Sequence, residues 1–255
     1  MNTLSRAFQS PTIPAISLPR LLTHSDMRSP PASDKPHTAA EDTRTRILAV
    51  ATKAFAEMGI ENVSMRELTK LAGANVAAIN YHFGSKEGLA ESIFEEMSPR
   101  LNNMRLRELE EVLQSAAALG ERPSVSAIVD SFTKPYLDPA FSQEGRLLAQ
   151  LVLKHRLSPS PMTQRIISRH FDPMARQYMR AFALACPDVD PDKFAWRYMF
   201  MTGAVVLAAT DQNKGNRITA LSEGRLDATQ PAALAKELRE FVEGGLRFGS
   251  ESTHS

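Results

Sequence analysis

The stretch from Ser64 to Met97, SMRELTKLAGANVAAINYHFGSKEGLAESIFEEM, contains three helix starts in succession. Ser64 followed three residues later by Glu67 is a capping box, in which each side chain satisfies a free backbone N–H of the other residue. Leu68 and Leu71 are the expected buried face of the helix it opens, and Gly73 stops that helix. Asn75 caps a second short helix, Val76 to Phe83, with Ala78, Ile79 and Phe83 turned inward and Gly84 at its end. Ser85 then caps a further helix through Leu89, Ile93, Phe94 and Met97. Upstream, Ile47, Ala51, Ala54, Phe55 and Met58 recur at spacings of three and four, the pattern of an amphipathic helix. Gly59 closes it as a left-handed cap would.

Short helices joined by a tight Gly-containing turn make a helix-turn-helix, whose last helix enters the DNA major groove. The composition of Asn75–Lys86 (NVAAINYHFGSK) is unusual for so short a helix. Exposing Asn80, Tyr81 and His82 between small residues gains little from burial. Composition alone leaves two readings open: a nucleic-acid-reading helix, and a surface helix with incidental polar residues.

Further along, the chain reads as helices separated by Pro and Gly breaks, near 100–119, 124–137, 141–157, 161–185, 191–211 and 230–248. Almost no segment alternates with period two, so no strand is predicted. The expected fold class is all-α, with an N-terminal three-helix helix-turn-helix module and a larger helical body. Residues 1–40 hold six of the 16 prolines among Ser and Thr. Such a segment cannot offset its ordering entropy by burial. The expected division is a disordered tail over 1–40, a helix-turn-helix module over 41–97, a helical domain over 98–248 and a second tail over 249–255. Translation from Met27 is an alternative account of the first segment.

The chain has 255 residues and a formal net charge of +1, so any nucleic-acid face must be local. Residues 41–90 contain six basic residues (Arg44, Arg46, Lys53, Arg66, Lys70, Lys86) and six acidic ones, so placement rather than excess must provide the attraction. A single cysteine, Cys186, excludes an internal disulfide and fits a reducing compartment; a cytoplasmic location is expected. No apolar run approaches the ~20 residues of a membrane span, and no membrane association is expected. The six histidines never fall three or four apart. No nucleophile elbow or phosphate loop occurs. Neither enzyme activity, nor a metal site, nor a cofactor is expected.

Residues 44–97 resemble the DNA-binding domain of the TetR family of transcriptional regulators. The resemblance lies in Ala-Phe-Ala-Glu-Met-Gly (54–59), the Ser64–Gly73 helix and above all the run Tyr81-His82-Phe83-Gly84-Ser85-Lys86-Glu87-Gly88-Leu89. It covers about a fifth of the chain. The resemblance implies roles residue by residue. Arg66 would reach a phosphate or a guanine. Val76, Ala77, Ala78 and Asn80 would face bases, Tyr81 and His82 would touch phosphates, and Lys86 would clamp a phosphate at a helix N-terminus. Val76, Ala77 and Ala78 cannot donate hydrogen bonds, so reading would lean on thymine methyls, Asn80, Arg66 and DNA shape. The family also implies that 41–97 is a DNA-binding domain and 98–248 a helical ligand-binding and dimerisation domain, with palindromic operator DNA, a small-molecule effector and a homodimer built on the last two long helices. A protein-binding adaptor on the same fold is the rival function.

In the body, Phe171, Met174, Tyr178, Phe182, Trp196, Met199 and Phe200 are candidates to line an apolar effector cavity. Ordinary core packing is the competing account of each. The run Phe194–Ala204 is similar to a fatty-acid-responsive subgroup, which implies an apolar effector with an anionic head. Arg146, Lys154, His155, Arg156 and Arg197 are candidates to meet that head. Gly203, Leu207, Leu234, Leu238, Phe241 and Val242 are candidates for the dimer interface.

Overall fold

Side-chain caps at Ser64, Asn75, Ser85, Ser124 and Ser160 open five of the helices in the computed structural model, which is described over residues 39–211, 217–227 and 230–248. Among these residues every regular element is helical. The order is α1 (Ala39–Met58), a 3-10 turn (Ile60–Asn62), α2 (Met65–Ala72), α3 (Val76–Phe83), α4 (Lys86–Leu119) and α5 (Val125–Leu137). After a second 3-10 turn (Pro139–Phe141) come α6 (Ser142–Leu157), α7 (Pro161–Ile166), a π turn (Ile167–Phe171), α8 (Asp172–Ala185), α9 (Lys193–Asp211), α10 (Arg217–Leu221) and α11 (Pro231–Arg247). Helix α1 starts at Ala39, so residues 1–38 and 249–255 of the expected tails lie outside the described residues. No described helix is long and apolar enough to cross a membrane.

Two expected helices are one. Residues 86–119 form a single 34-residue helix that contains Pro99. One missing N–H is a tolerable loss in a helix flanked by buried Leu101 and Met97. Conversely, the segment expected as one helix over 161–185 is interrupted at Ile167–Phe171. Pro173 has no N–H for the carbonyl four residues back, and its ring crowds that carbonyl; the wider π turn just before it relieves both.

Helices α1 to α3 and the start of α4 close one apolar cluster through Ile47, Phe55, Val63, Leu68, Ile79, Leu89 and Phe94. The body continues that core through Phe132, Leu147, Tyr178, Phe182, Phe194 and Val205. Two expected core residues, Met58 and Leu71, are exposed. Helix α2 turns Met65, Leu68 and Ala72 inward, and Leu71 lies about 100° around the helix from Ala72, beyond the buried stripe. Helices α5 and α6 touch backbone to backbone at Gly145, where a Cβ would collide with the carbonyl of Pro135.

Candidate functional site

Both reading helices are fixed at their ends by short polar contacts. Glu67 N donates to Ser64 Oγ at 3.1 Å and Ser64 N donates to Glu67 Oε2 at 2.8 Å, closing the capping box at α2. The Ser64 N–H and the Ser64 hydroxyl, which also donates to Glu67 Oε2 at 2.7 Å, hold the Glu67 carboxyl below its ordinary value. Gly73 adopts the left-handed conformation, φ 56° and ψ 39°, that turns the chain towards α3. Asn75 Oδ1 accepts from Ala78 N at 2.7 Å and opens α3. Ser85 Oγ accepts from Gly88 N at 3.0 Å and opens α4.

Ile79 and Phe83 pin α3 to the core, which turns Val76, Ala77, Asn80 and Tyr81 outward. Tyr81 is 83% exposed, an extreme value for a tyrosine with no structural need to be there. Its ring meets that of His82 edge-on, 5.0 Å between centroids. Ala78 and His82 are half-buried at the rim of this face, and Arg66 is exposed on α2. The structure thus brings Arg66, Val76, Ala77, Asn80 and Tyr81 out of the core on two consecutive capped helices.

Lys86 occupies a different position from the free phosphate clamp expected of it. Its ammonium donates to Val63 O at 3.1 Å and Glu61 O at 3.4 Å. Two of its three donors are therefore used in holding the turn that leads into α2. Glu61 is in turn paired with Lys154 from α6, which keeps the Glu61 carboxyl below its ordinary value.

The predicted effector cluster divides in two. Phe171, Met174, Tyr178 and Phe182 are buried, on α8 and the turn before it. Trp196 and Phe200 are each 64% exposed and stack on one another at 6.4 Å, so they line no interior cavity; Met199 is half-buried. Helix α9 turns Phe194, Met201 and Val205 inward, which leaves Trp196, Phe200 and Leu207 on the other side.

The predicted dimer residues divide likewise. Leu238 and Val242 are buried with Leu246 inside this chain's own core, and Leu234 packs partly against it. They form the inward stripe of α11, so an interface formed by this folded chain cannot use them as exposed contacts. Phe241 and Leu207 are exposed, and a Cβ on Gly203 would meet nothing within 4 Å.

Of the basic side chains expected near an effector, Arg197 touches the edge of the buried aromatic cluster, its guanidinium 5.7 Å from the centre of the Phe194 ring, and the others make their contacts elsewhere. Lys154 pairs with Glu61, His155 Nδ1 lies 3.3 Å from Thr163 Oγ1, and Arg197 caps the end of α11 at Leu246 O and Phe248 O. Arg146 is half-buried and Arg156 exposed. The cation buried within the cluster is Arg105, on α4, which sequence reasoning missed. The available signal was the spacing Leu101, Arg105, Leu109, which places an arginine in line with two core leucines. Among the described residues no cluster of His, Cys, Asp and Glu could hold a metal ion.

A capped helix-turn-helix on an all-helical body defines a class of DNA-binding regulators, and comparison with known proteins agrees with that class. The profile described as "Bacterial regulatory proteins, tetR family" matches residues 47–93, and the one described as "Tetracyclin repressor-like, C-terminal domain" matches residues 130–245. The chain belongs to the TetR family. It is 34% identical over 67 residues to the transcriptional regulator AcrR of Shigella flexneri, covering 26% of this chain and 31% of that one. It is 38% identical over 60 residues to the transcriptional regulator UidR of Escherichia coli K12, covering 24% and 31%. These alignments therefore span about a third of the length of those relatives. The fold matches that of a TetR-family regulator from Streptomyces coelicolor, with TM-score 0.55, 17% identity and coverage of 82% of this chain and 97% of that one.

Proposed function

We propose that the chain is a ligand-responsive transcriptional regulator, a repressor, that binds palindromic operator DNA as a homodimer in the cytoplasm and is released by a small apolar effector. The observation that carries this reading is the exposed row Val76, Ala77, Asn80 and Tyr81 on a helix capped at both ends and pinned by Ile79 and Phe83. Val76 and the alanines contact thymine methyls, and Asn80 supplies the hydrogen bonds to a base edge. Phosphates are met by Tyr81, His82, Arg66 and the free N–H groups at the start of α4, where the helix dipole favours an anion. Dimerisation uses α9 and α11 through their exposed side chains Trp196, Phe200, Leu207 and Phe241, with Gly203 permitting close approach. Two copies double the phosphate contacts, which answers the neutral charge balance of each head.

A mobility-shift assay on DNA flanking the gene, run across a salt series, tests the reading. Sequence-specific retardation that weakens steeply with salt supports it. Equal, feeble affinity for every DNA at low salt refutes it and favours the adaptor function.

A further inference from the structure

We propose that Arg105 anchors the carboxylate of a small apolar acid inside the helical body. The proposal rests on the effector-responsive reading above and names the chemistry of the effector. Arg105 is 0% exposed. Its Nε donates to Phe132 O at 3.1 Å, and one terminal nitrogen donates to Asn102 Oδ1 at 3.2 Å and lies 3.7 Å from Met174 Sδ. The other terminal nitrogen is buried without any hydrogen-bond partner. The Phe132 and Tyr136 rings each lie 4.8 Å from the guanidinium carbon. No ion pair of the described residues includes Arg105, and the acid one turn along α4, Glu108, is paired with Lys134.

A guanidinium remains charged at any pH a protein meets, and an isolated buried charge is costly unless it is paired. Two aromatic faces and a carbonyl offset part of that cost but leave the charge itself unneutralised. The two terminal nitrogens form the edge of the fork that receives both oxygens of a carboxylate. Here one of them is unpartnered and the other is shared between an amide oxygen and a thioether. A methionine sulfur is a poor acceptor on a flexible chain, so Met174 is the contact that an incoming carboxylate displaces.

The walls define the rest of the molecule. Phe132 meets Tyr178 edge-on at 5.2 Å and Tyr198 at 5.6 Å, and Phe182 stacks on Phe194 at 6.4 Å. These rings pack on one another, so a benzene ring or a short alkyl chain enters only by parting them, and none of them offers a partner for a second charge. A groove of about 690 Å³ beside α4, α5 and α11 reaches Ser131. The Ser131 hydroxyl lies 3.0 Å from Tyr178 OH, which lies 3.3 Å from Arg105 O. That chain of hydrogen bonds runs from the groove to the main chain of Arg105, not to its guanidinium.

The test is calorimetric titration and thermal melting of the full chain without DNA, using sodium benzoate, sodium octanoate, benzyl alcohol, octanol and ionic-strength-matched sodium chloride. One of the two acids is expected to bind once per chain and raise the melting temperature, about 10-fold or more tighter than its alcohol. Arg105→Met, which replaces the buried charge with an apolar chain, is expected to fold and to lose acid binding. Acid binding retained by that variant, an alcohol that binds as well as its acid, or no acid binding at millimolar concentration each overturns the proposal. If Arg105→Met does not fold, Arg105→Lys keeps the charge but removes the fork. A fall in acid affinity of about 10-fold then supports the anchor, and unchanged affinity overturns it. Operator release is measured separately. Acid binding through Arg105 without release keeps the anchor and removes the regulatory reading, whereas release by a neutral compound with no acid binding does the reverse.

Discussion

The carbonyl of Phe83 occupies the space that a side chain on Gly88 would need, so the end of α3 and the first turn of α4 are in backbone contact. The angle at which α3 is presented depends on that contact. Gly88→Ala forces the two helices apart, and overpacking of this kind costs ~1–3 kcal/mol. Thermal melting is expected to show that loss together with weakened DNA binding. Gly245→Ala is the control: it lies within α11 with nothing within 4 Å of its Cβ position and should be stabilising by up to ~1 kcal/mol.

Arg66 and Lys86 should separate in their effects, because one is free and the other is committed to the fold. Arg66→Ala is expected to leave stability unchanged and to lower the salt slope of DNA binding by ~1 per subunit. Lys86→Ala removes the contacts to Glu61 O and Val63 O, so it should lower stability by ~1 kcal/mol and reduce affinity with little change of slope. A full unit of lost slope with unchanged stability would restore Lys86 as a phosphate clamp.

Dimerisation is tested by one exposed and one buried position. Phe200→Glu should give a folded monomer in sedimentation, since Phe200 is exposed within the chain. Leu238→Ala opens a cavity in the core and should cost ~2–5 kcal/mol in chemical denaturation, with assembly affected only through folding. Dimers that survive Phe200→Glu would move the interface elsewhere.

Stability should fall at both ends of the pH scale, for different reasons. Burial pushes the Tyr178 phenol up to about 12. Above its ordinary value of 10.0 the unfolded chain releases a proton that the folded chain keeps, so stability falls as pH rises, by at most ~1.4 kcal/mol per unit. Tyrosinate absorbance for Tyr178 should therefore appear together with unfolding. At the acid end the Glu67 carboxyl lies below its ordinary 4.5, so the capping box stabilises above that pH and is lost as pH falls through the folded value. Ser64→Ala, costing ~1 kcal/mol near neutrality, should flatten the acid limb.

What the sequence reveals is what local chemistry decides. Ser64, Asn75 and Ser85 each satisfy N–H groups within three residues of themselves, so the starts of α2, α3 and α4 could be read directly. The exposure of Asn80 and Tyr81 follows from the same register. Which side of α9 meets the core is decided by its packing against α6, α8 and α11, and periodicity in an almost wholly apolar helix cannot show it. Trp196 and Phe200 were misplaced for that reason, and Leu238 and Val242 for its mirror image, an apolar stripe that fits a partner or its own core equally well. Arg105 escaped notice because an arginine reads as surface until the neighbours of its helix are known.

The 34 residues of α4 extend about 50 Å, from the first turn beside α3, past Pro99, to beyond Arg105. Head and body are thus joined by a rod with a fixed phase. One residue inserted between Pro99 and Arg105 would rotate the head by about 100° and advance it by about 1.5 Å, whereas seven would bring it back to within about 20°. Grafting this head onto another helical body therefore calls for counting residues in sevens, and for a surface that replaces α6 and Lys154 beside α1 and Glu61.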